Sequence, residues 1–453
     1  MMKPNFVLTA IIIGLGCAIA SSANAEPMLT STAPSVQAKS TVADLSELIT
    51  LAVSHDANWK STQFNAKAQQ ESYAQARSQL LPQLQYSAQT AINEDKGTNF
   101  LGIGGKYNSN SQSLRLSQPL FRLDAWFAAK RAKAQYNQIH AELESEYQAL
   151  IIKVATAYFD WLKAETQLNF ANAEEQAYRK QQEQAQLTFK AGLTAVTDVY
   201  EVQAEADLAH ARQIIARNQL ALAKKSMQAM TVVAVDAVAI PNSAVPQQFT
   251  EKSLADWTAL AKAQNPDYLA AQQAVTAAKQ AKRAQASAFG PQVDLVGSYT
   301  DGKNSTISTQ PSERQSSQIS MQLTLPLWTS GQTTSRYRQA DNQLRAADAH
   351  LDAVASDAVV KISQLLDQLQ ADEDILVAQQ QAKKSSQTAV SATQAGYRAG
   401  TRTIVEVLQA ESKQLSSVKD YQTALYDYLL HQLQFEQATG TLSAKSVVQL
   451  SGK

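Results

Sequence analysis

Cysteine is almost absent from this 453-residue chain, and the one present, Cys17, lies in an N-terminal segment that reads as a removable secretory signal. Lys3 supplies its positive end, Phe6 to Ala20 its apolar stretch, and Ala23-Asn24-Ala25 its small-residue cleavage site. Cys17 would be acylated only in a lipoprotein signal, and Gly14 stands where such signals place Leu or Val. With residues 1–25 removed, the chain starts at Glu26 and has no thiol, which excludes a disulfide framework and a thiolate metal site. Aromatic residues are few, 7% against 44% apolar overall, so a thick globular core is not expected. Neither charge dominates. Lys plus Arg and Asp plus Glu number 40 each, and loss of Lys3 leaves 39 cations against 40 anions, so nothing calls for a nucleic-acid partner. Beyond residue 25 no run of 18 apolar residues occurs, so a membrane-embedded form would have to be a β-barrel.

Catalytic patterns are lacking too. His55, His140, His210, His350 and His431 are scattered without ligand spacing and read as surface residues. Gly102, Gly104 and Gly105 precede Lys106, but position 100 is not glycine and Tyr107 replaces the Ser or Thr of a phosphate loop. No G-x-S-x-G occurs, and no catalytic residue, cofactor or metal site is assigned.

What the chain does have is a tandem repeat. Pro82 and Pro291, Pro119 and Pro326, and Gly192 and Gly400 recur at offsets of 209, 207 and 208 residues. Within each half the hydrophobic period changes where proline stands. Leu84, Tyr86 and Ala88 alternate with Gln83, Gln85 and Ser87, and Leu114 and Leu116 with Ser113, Arg115 and Ser117. In the second half Val293, Leu295 and Tyr299 alternate with polar neighbours, as do Ile319, Met321, Leu323 and Leu325. These are strands with one wet face, paired as hairpins with polar loops near 93–110 and 301–316. Four strands cannot close a barrel, and an open edge cannot face lipid; three copies would supply twelve.

After Pro119 and Pro326 the period becomes helical. Tyr147, Leu150, Val154, Tyr158, Trp161 and Leu168 form one seam, and Leu351, Ala355, Ala358, Ile362, Leu365, Leu369 and Leu376 another, stepping past Asp372. No Gly or Pro falls between Pro119 and Gly192, so a helix of about 70 residues could run about 100 Å. Gly192 and Gly400 end these helices as left-handed caps, and new helices begin near Thr197 and Val405. Residues 26–230 thus form a first repeat of helix, β-hairpin 83–120 and helical hairpin; 231–252 is a linker; 253–442 is a second repeat with β-hairpin 292–327; 443–453 is a tail. Phe121, Trp126 and Trp328 fall where strand meets helix, the level of an aromatic girdle, although core packing explains them equally well.

The sequences at the two turns, Phe189-Lys190-Ala191-Gly192-Leu193-Thr194-Ala195-Val196-Thr197-Asp198-Val199 and Gly396-Tyr397-Arg398-Ala399-Gly400-Thr401-Arg402-Thr403-Ile404-Val405-Glu406-Val407-Leu408, carry a resemblance. With the repeat, they make the chain similar to the outer-membrane efflux family of TolC-type channels over nearly its whole mature length. The resemblance implies an all-α dominated mixed α/β membrane protein, a homotrimer whose twelve-stranded outer-membrane β-barrel continues as a twelve-helix periplasmic α-barrel. It implies a passive conduit of a tripartite efflux pump or type I secretion system. An inner-membrane transporter and a periplasmic adaptor would be its partners, the adaptor docking at Gly192, Leu193, Gly400 and Thr401. In such channels, hydrogen bonds and a charge pair between neighbouring hairpins hold the periplasmic aperture shut. By similarity those roles fall on Thr197, Asp198, Tyr397 and Arg402. The family's acidic constriction ring keeps one position here, Glu406, while Gln409 occupies the other, which implies weaker cation selectivity. The competing reading is a soluble periplasmic coiled-coil adaptor or scaffold, which would not need four two-faced strands.

Overall fold

The computed structural model describes residues 42–95, 105–193, 195–232, 237–239, 252–304, 312–443 and 446–447. The expected signal with Cys17, Thr194, most of the 231–252 linker and most of the 443–453 tail lie outside them.

Each repeat opens with capped helices. Asp44 accepts from the Glu47 N–H at the start of α1 (Leu45–His55), and Asp56 does the same for Trp59 at α2 (Ala57–Ser78). Their counterparts are α5 (Leu254–Gln264), begun by a Ser253/Asp256 capping box, and α6 (Pro266–Ser287), with Asn265 as cap and Pro266 in the first turn. A hairpin follows in each half, β2 (Gln83–Asp95) with β3 (Gly105–Phe121), and β5 (Gln292–Asn304) with β6 (Ser312–Thr324). The strands run further into the expected loops than alternation indicated. β3 also passes through Pro119 to Phe121, where its pairing with β5 becomes irregular and the missing proline N–H is tolerated.

The two hairpins join into one antiparallel sheet in the order β2-β3-β5-β6. Register puts Leu84 opposite Leu116, Leu116 opposite Gly297, and Gly297 opposite Ile319, so the apolar residues of all four strands share one face. Leu84, Tyr86, Leu114, Leu116, Ile319, Met321 and Leu323 on that face are exposed. The other face is mainly polar and rich in serine and glutamine, as in the Ser87, Ser113, Thr300, Ser316 row.

The helices continue this order. α3 (Leu123–Lys190, 68 residues) follows β3, and α7 (Gln332–Arg398, 67 residues) follows β6. Beneath the sheet α2 packs on α3, α3 on α6 and α6 on α7, the same sequence of neighbours as the strands above. At the far end α4 (Val196–Thr231) returns along α3, α8 (Ile404–Thr439) returns along α7, and α8 also packs on α3.

The low aromatic content does not prevent a dense core; it concentrates one. Trp161, Tyr158 and Phe159 of α3 and Tyr428 and Phe435 of α8 are fully buried together with Leu45, Leu48 and Met227. Burial of each such side chain contributes about 1.5–3 kcal/mol. A short linker strand β4 (Ala237–Val238) pairs parallel with β1 (Val42–Ala43), and the Tyr158 hydroxyl donates to the Ala239 carbonyl, binding linker to core.

Two expectations need correction. Asp372 is inside the second seam: it is buried beside Ile362, Leu365, Leu369 and Leu376, with Gln368 donating to one oxygen at 2.9 Å and His431 Nδ1 2.6 Å from the other. His431 is therefore a partly buried inter-helix partner, unlike the surface residue its isolation in the sequence suggested. Phe121, Trp126 and Trp328 are 43%, 44% and 86% exposed, and the Lys130 ammonium sits 3.6 Å above the Trp126 ring. Core packing within the chain does not account for them.

Candidate functional site

The two turns at the end of the helices opposite the sheet use one backbone solution. In the first, the Gly192 N–H donates to Phe189 O at 2.8 Å and the Leu193 N–H to Thr188 O at 3.0 Å. In the second, Gly400 donates to Tyr397 O and Thr401 to Gly396 O, both at 2.9 Å. These are paired Schellman bonds, closed by glycines at φ +75° and +74° where an L side chain would be strained.

The helices that leave the turns begin differently. α8 has Thr403 as N-cap, with the Glu406 N–H donating to its Oγ1 at 3.3 Å and the Glu406 carboxylate accepting from the Thr403 N–H at 2.7 Å. Arg402 Nη1 donates to the other Glu406 oxygen at 2.6 Å. The Thr403 N–H, then Arg402, then the Thr403 hydroxyl hold the Glu406 carboxyl down at about 2. α4 begins at Ala195, which makes no side-chain cap bond, so its third helical residue, Asp198, has no reciprocal box. Asp198 is exposed at a helix N-terminus, where negative charge is favoured, and its Oδ1 lies 3.4 Å from the Thr197 hydroxyl.

The structure thus joins two residues that the sequence had placed in separate roles, Arg402 and Glu406. Within one chain it makes no ion pair between Asp198 and Arg402 among the described residues, since the two lie on different hairpins. Tyr397 is 43% exposed, Arg402 57%, and Gln409 is exposed one turn beyond Glu406. Leu193 projects at 76% exposure, while the Thr401 hydroxyl donates back to Gly396 O at 3.1 Å.

Two contributors went unassigned in the sequence. Thr403 was legible as the start of T-x-x-E. Gly396 was not: a Cβ there would come 2.7 Å from Arg402 Cγ and 3.3 Å from Thr401 Oγ1, so its bare backbone is what lets the arginine stem fold over the helix end. Among the described residues no His, Cys, Asp or Glu group is arranged to hold a metal, and no helix is long and apolar enough to cross a membrane.

A model of the outer membrane efflux protein family matches residues 48–231 and 257–441, one segment in each repeat. The chain belongs to that family. Outer membrane protein TolC of Vibrio cholerae serotype O1 is 31% identical over 417 residues, covering 90% of this chain and 93% of that protein. TolC of Escherichia coli K12 is 29% identical over 84% of this chain and 79% of its own. A crystal structure of CusC superposes with a TM-score of 0.76 at 17% identity, over 87% of this chain and 92% of that one, and shows the common fold. This efflux-family chain is accordingly an outer-membrane export channel of a Gram-negative cell, and the scaffold reading falls away.

Proposed function

We propose that three copies of this chain close into one conduit, a twelve-stranded barrel in the outer membrane continued by a twelve-helix tube in the periplasm, passing solutes or polypeptides delivered by an inner-membrane transporter. The observation that carries this reading is the open four-stranded sheet. Its apolar face suits lipid, yet β2 and β6 end it with unpaired edges, which lipid does not tolerate. Pairing β6 of one copy with β2 of the next removes every edge. The helical layer offers the same solution: Leu208, Ile215 and Leu222 recur every seven residues on α4 and are exposed, an uncovered seam fitted to a helix of a neighbouring copy.

At the far end the two turns of each copy form the aperture. Arg402, steadied by Glu406, reaches Asp198 and Thr197 of a neighbouring hairpin, and Tyr397 adds a hydroxyl. Arg402 spends one nitrogen on Glu406, and the rest of its donor fork has no other partner among the described residues. A half-solvated pair of this kind contributes about 0.2–1 kcal/mol, weak enough for a docking partner to open. The partner we infer is a periplasmic adaptor seated at Gly192, Leu193, Gly400 and Thr401, where Leu193 offers an apolar knob. With Gln409 in the second position, three copies place three carboxylates at the constriction instead of six.

Purified protein in a planar bilayer tests the reading. A cross-linkable, detergent-extracted trimer should give a small, stable conductance. A folded protein that carbonate or high salt strips from membranes, and that never conducts, would refute it.

A further inference from the structure

The polar face of the sheet carries unpaired charge of one sign. Pairing places Arg115 of β3 between Gln85 and Ser298, and Arg314 of β6 beside Gly302, all on the face opposite the apolar residues. Both arginines are exposed, and neither forms an ion pair among the described residues. From the Asp294 level up to the Asn93/Tyr107 pair, Asp294 is the one acid on this face, and Arg122 donates to it at 3.3 Å. Beyond that level β2 continues to Asp95, paired with Gly105. The Lys303/Glu313 pair belongs to the opposite face and cancels itself at 2.5 Å. Around the two arginines the wall is mostly hydroxyls and amides, with Gly302 and Val296 among them, and supplies further donors without negative charge.

We propose that Arg115 and Arg314 are selectivity-determining residues that make the barrel segment of the conduit favour small anionic solutes, such as halides and organic or inorganic oxyanions. This rests on the channel reading, because only closure into a barrel turns the polar face inward. Three copies then place six guanidinium groups on a water-filled wall backed by low-dielectric lipid, where fixed charge is focused onto the pore. The conduit has opposite biases at its two ends: carboxylates at the periplasmic turns and guanidinium groups in the outer membrane. An anion that has passed the aperture meets an attractive exit segment, and a cation meets an unfavourable one.

The test is the reversal potential across a KCl gradient, with Arg402→Ser in every protein so that the aperture does not mask the barrel. Adding Arg115→Gln and Arg314→Gln should raise the potassium-to-chloride permeability ratio about threefold in dilute salt near 0.1 M, where screening extends about 10 Å. The difference should shrink at 1 M, where the screening length is about 3 Å. Arg115→Lys with Arg314→Lys, which preserves charge, should keep the parent ratio. Conducting trimers whose ratio ignores the glutamine pair, or in which lysine acts like glutamine, overturn the assignment. If no protein conducts at all, the channel reading fails and takes this inference with it.

Discussion

At Gly192 and at Gly400 the chain reverses through the same two hydrogen bonds and the same left-handed glycine, yet the turns present opposite chemistry. The second is self-contained: Thr403 and Glu406 cap one another, and Arg402 is drawn onto Glu406. The first is unfinished, with Ala195 as a mute cap, Asp198 without its box and Leu193 standing in solvent. The hairpins differ in their stems as well. α3 and α4 are clasped by the charged Glu174/Arg212 pair at 2.8 Å, whereas α7 and α8 are joined nearer their turn by the neutral Ser386/Ser417 pair at 2.7 Å. The two turns therefore share a backbone and differ in their side chains, the first exposing the Asp198 carboxylate and the second the Arg402 guanidinium.

The comparison breaks most sharply at Arg402. Arg402→Ser removes the donor, and single-channel conductance should rise several-fold, on the order expected when a contact of about 1 kcal/mol ceases to hold the closed state. Gly396→Ala should act in the same direction more weakly. Its methyl displaces the Arg402 stem although Ala favours helix over Gly by about 1 kcal/mol, so thermal stability should hold or improve while the aperture loosens. Ala195→Thr makes the first turn resemble the second. It should install a box with Asp198, raise amide protection in the first turn of α4 by about 1 kcal/mol, and raise conductance slightly by diverting the Asp198 oxygens.

Acid supplies the smallest effect. Glu406 is lowered from 4.5 to about 2, so the stability it adds to the α8 start is complete above pH 4.5 and is lost as pH falls from there through about 2. Hydrogen exchange at that helix start should be insensitive between pH 7 and 5 and weaken only below 4.5, with the acid-dependent part missing in Glu406→Gln.

Much of this architecture could be read from the sequence because its punctuation is local. Prolines at 82, 119, 291 and 326 and glycines at 192 and 400 mark changes of period that any window of residues reveals. Asp372 was stepped over because a polar residue in a seam looks like a skip; it is buried because Gln368 and His431 satisfy it, and His431 lies 59 residues away. The β1/β4 pair was illegible for the same reason, being two residues long and joining Val42 to Ala237. At the turns the motif marked the location and the residue types, but the seating of Arg402 on Glu406 and the clearance at Gly396 depend on how a side chain folds back over a helix end.

The most direct test is a double-mutant cycle on conductance with Arg402→Ser, Asp198→Asn and both together. If the two turns latch one another, each single change raises conductance and the double adds little beyond either. Additive increases, or an Asp198→Asn channel indistinguishable from wild type, would mean that Arg402 serves only its own helix and that the turns do not hold the aperture shut.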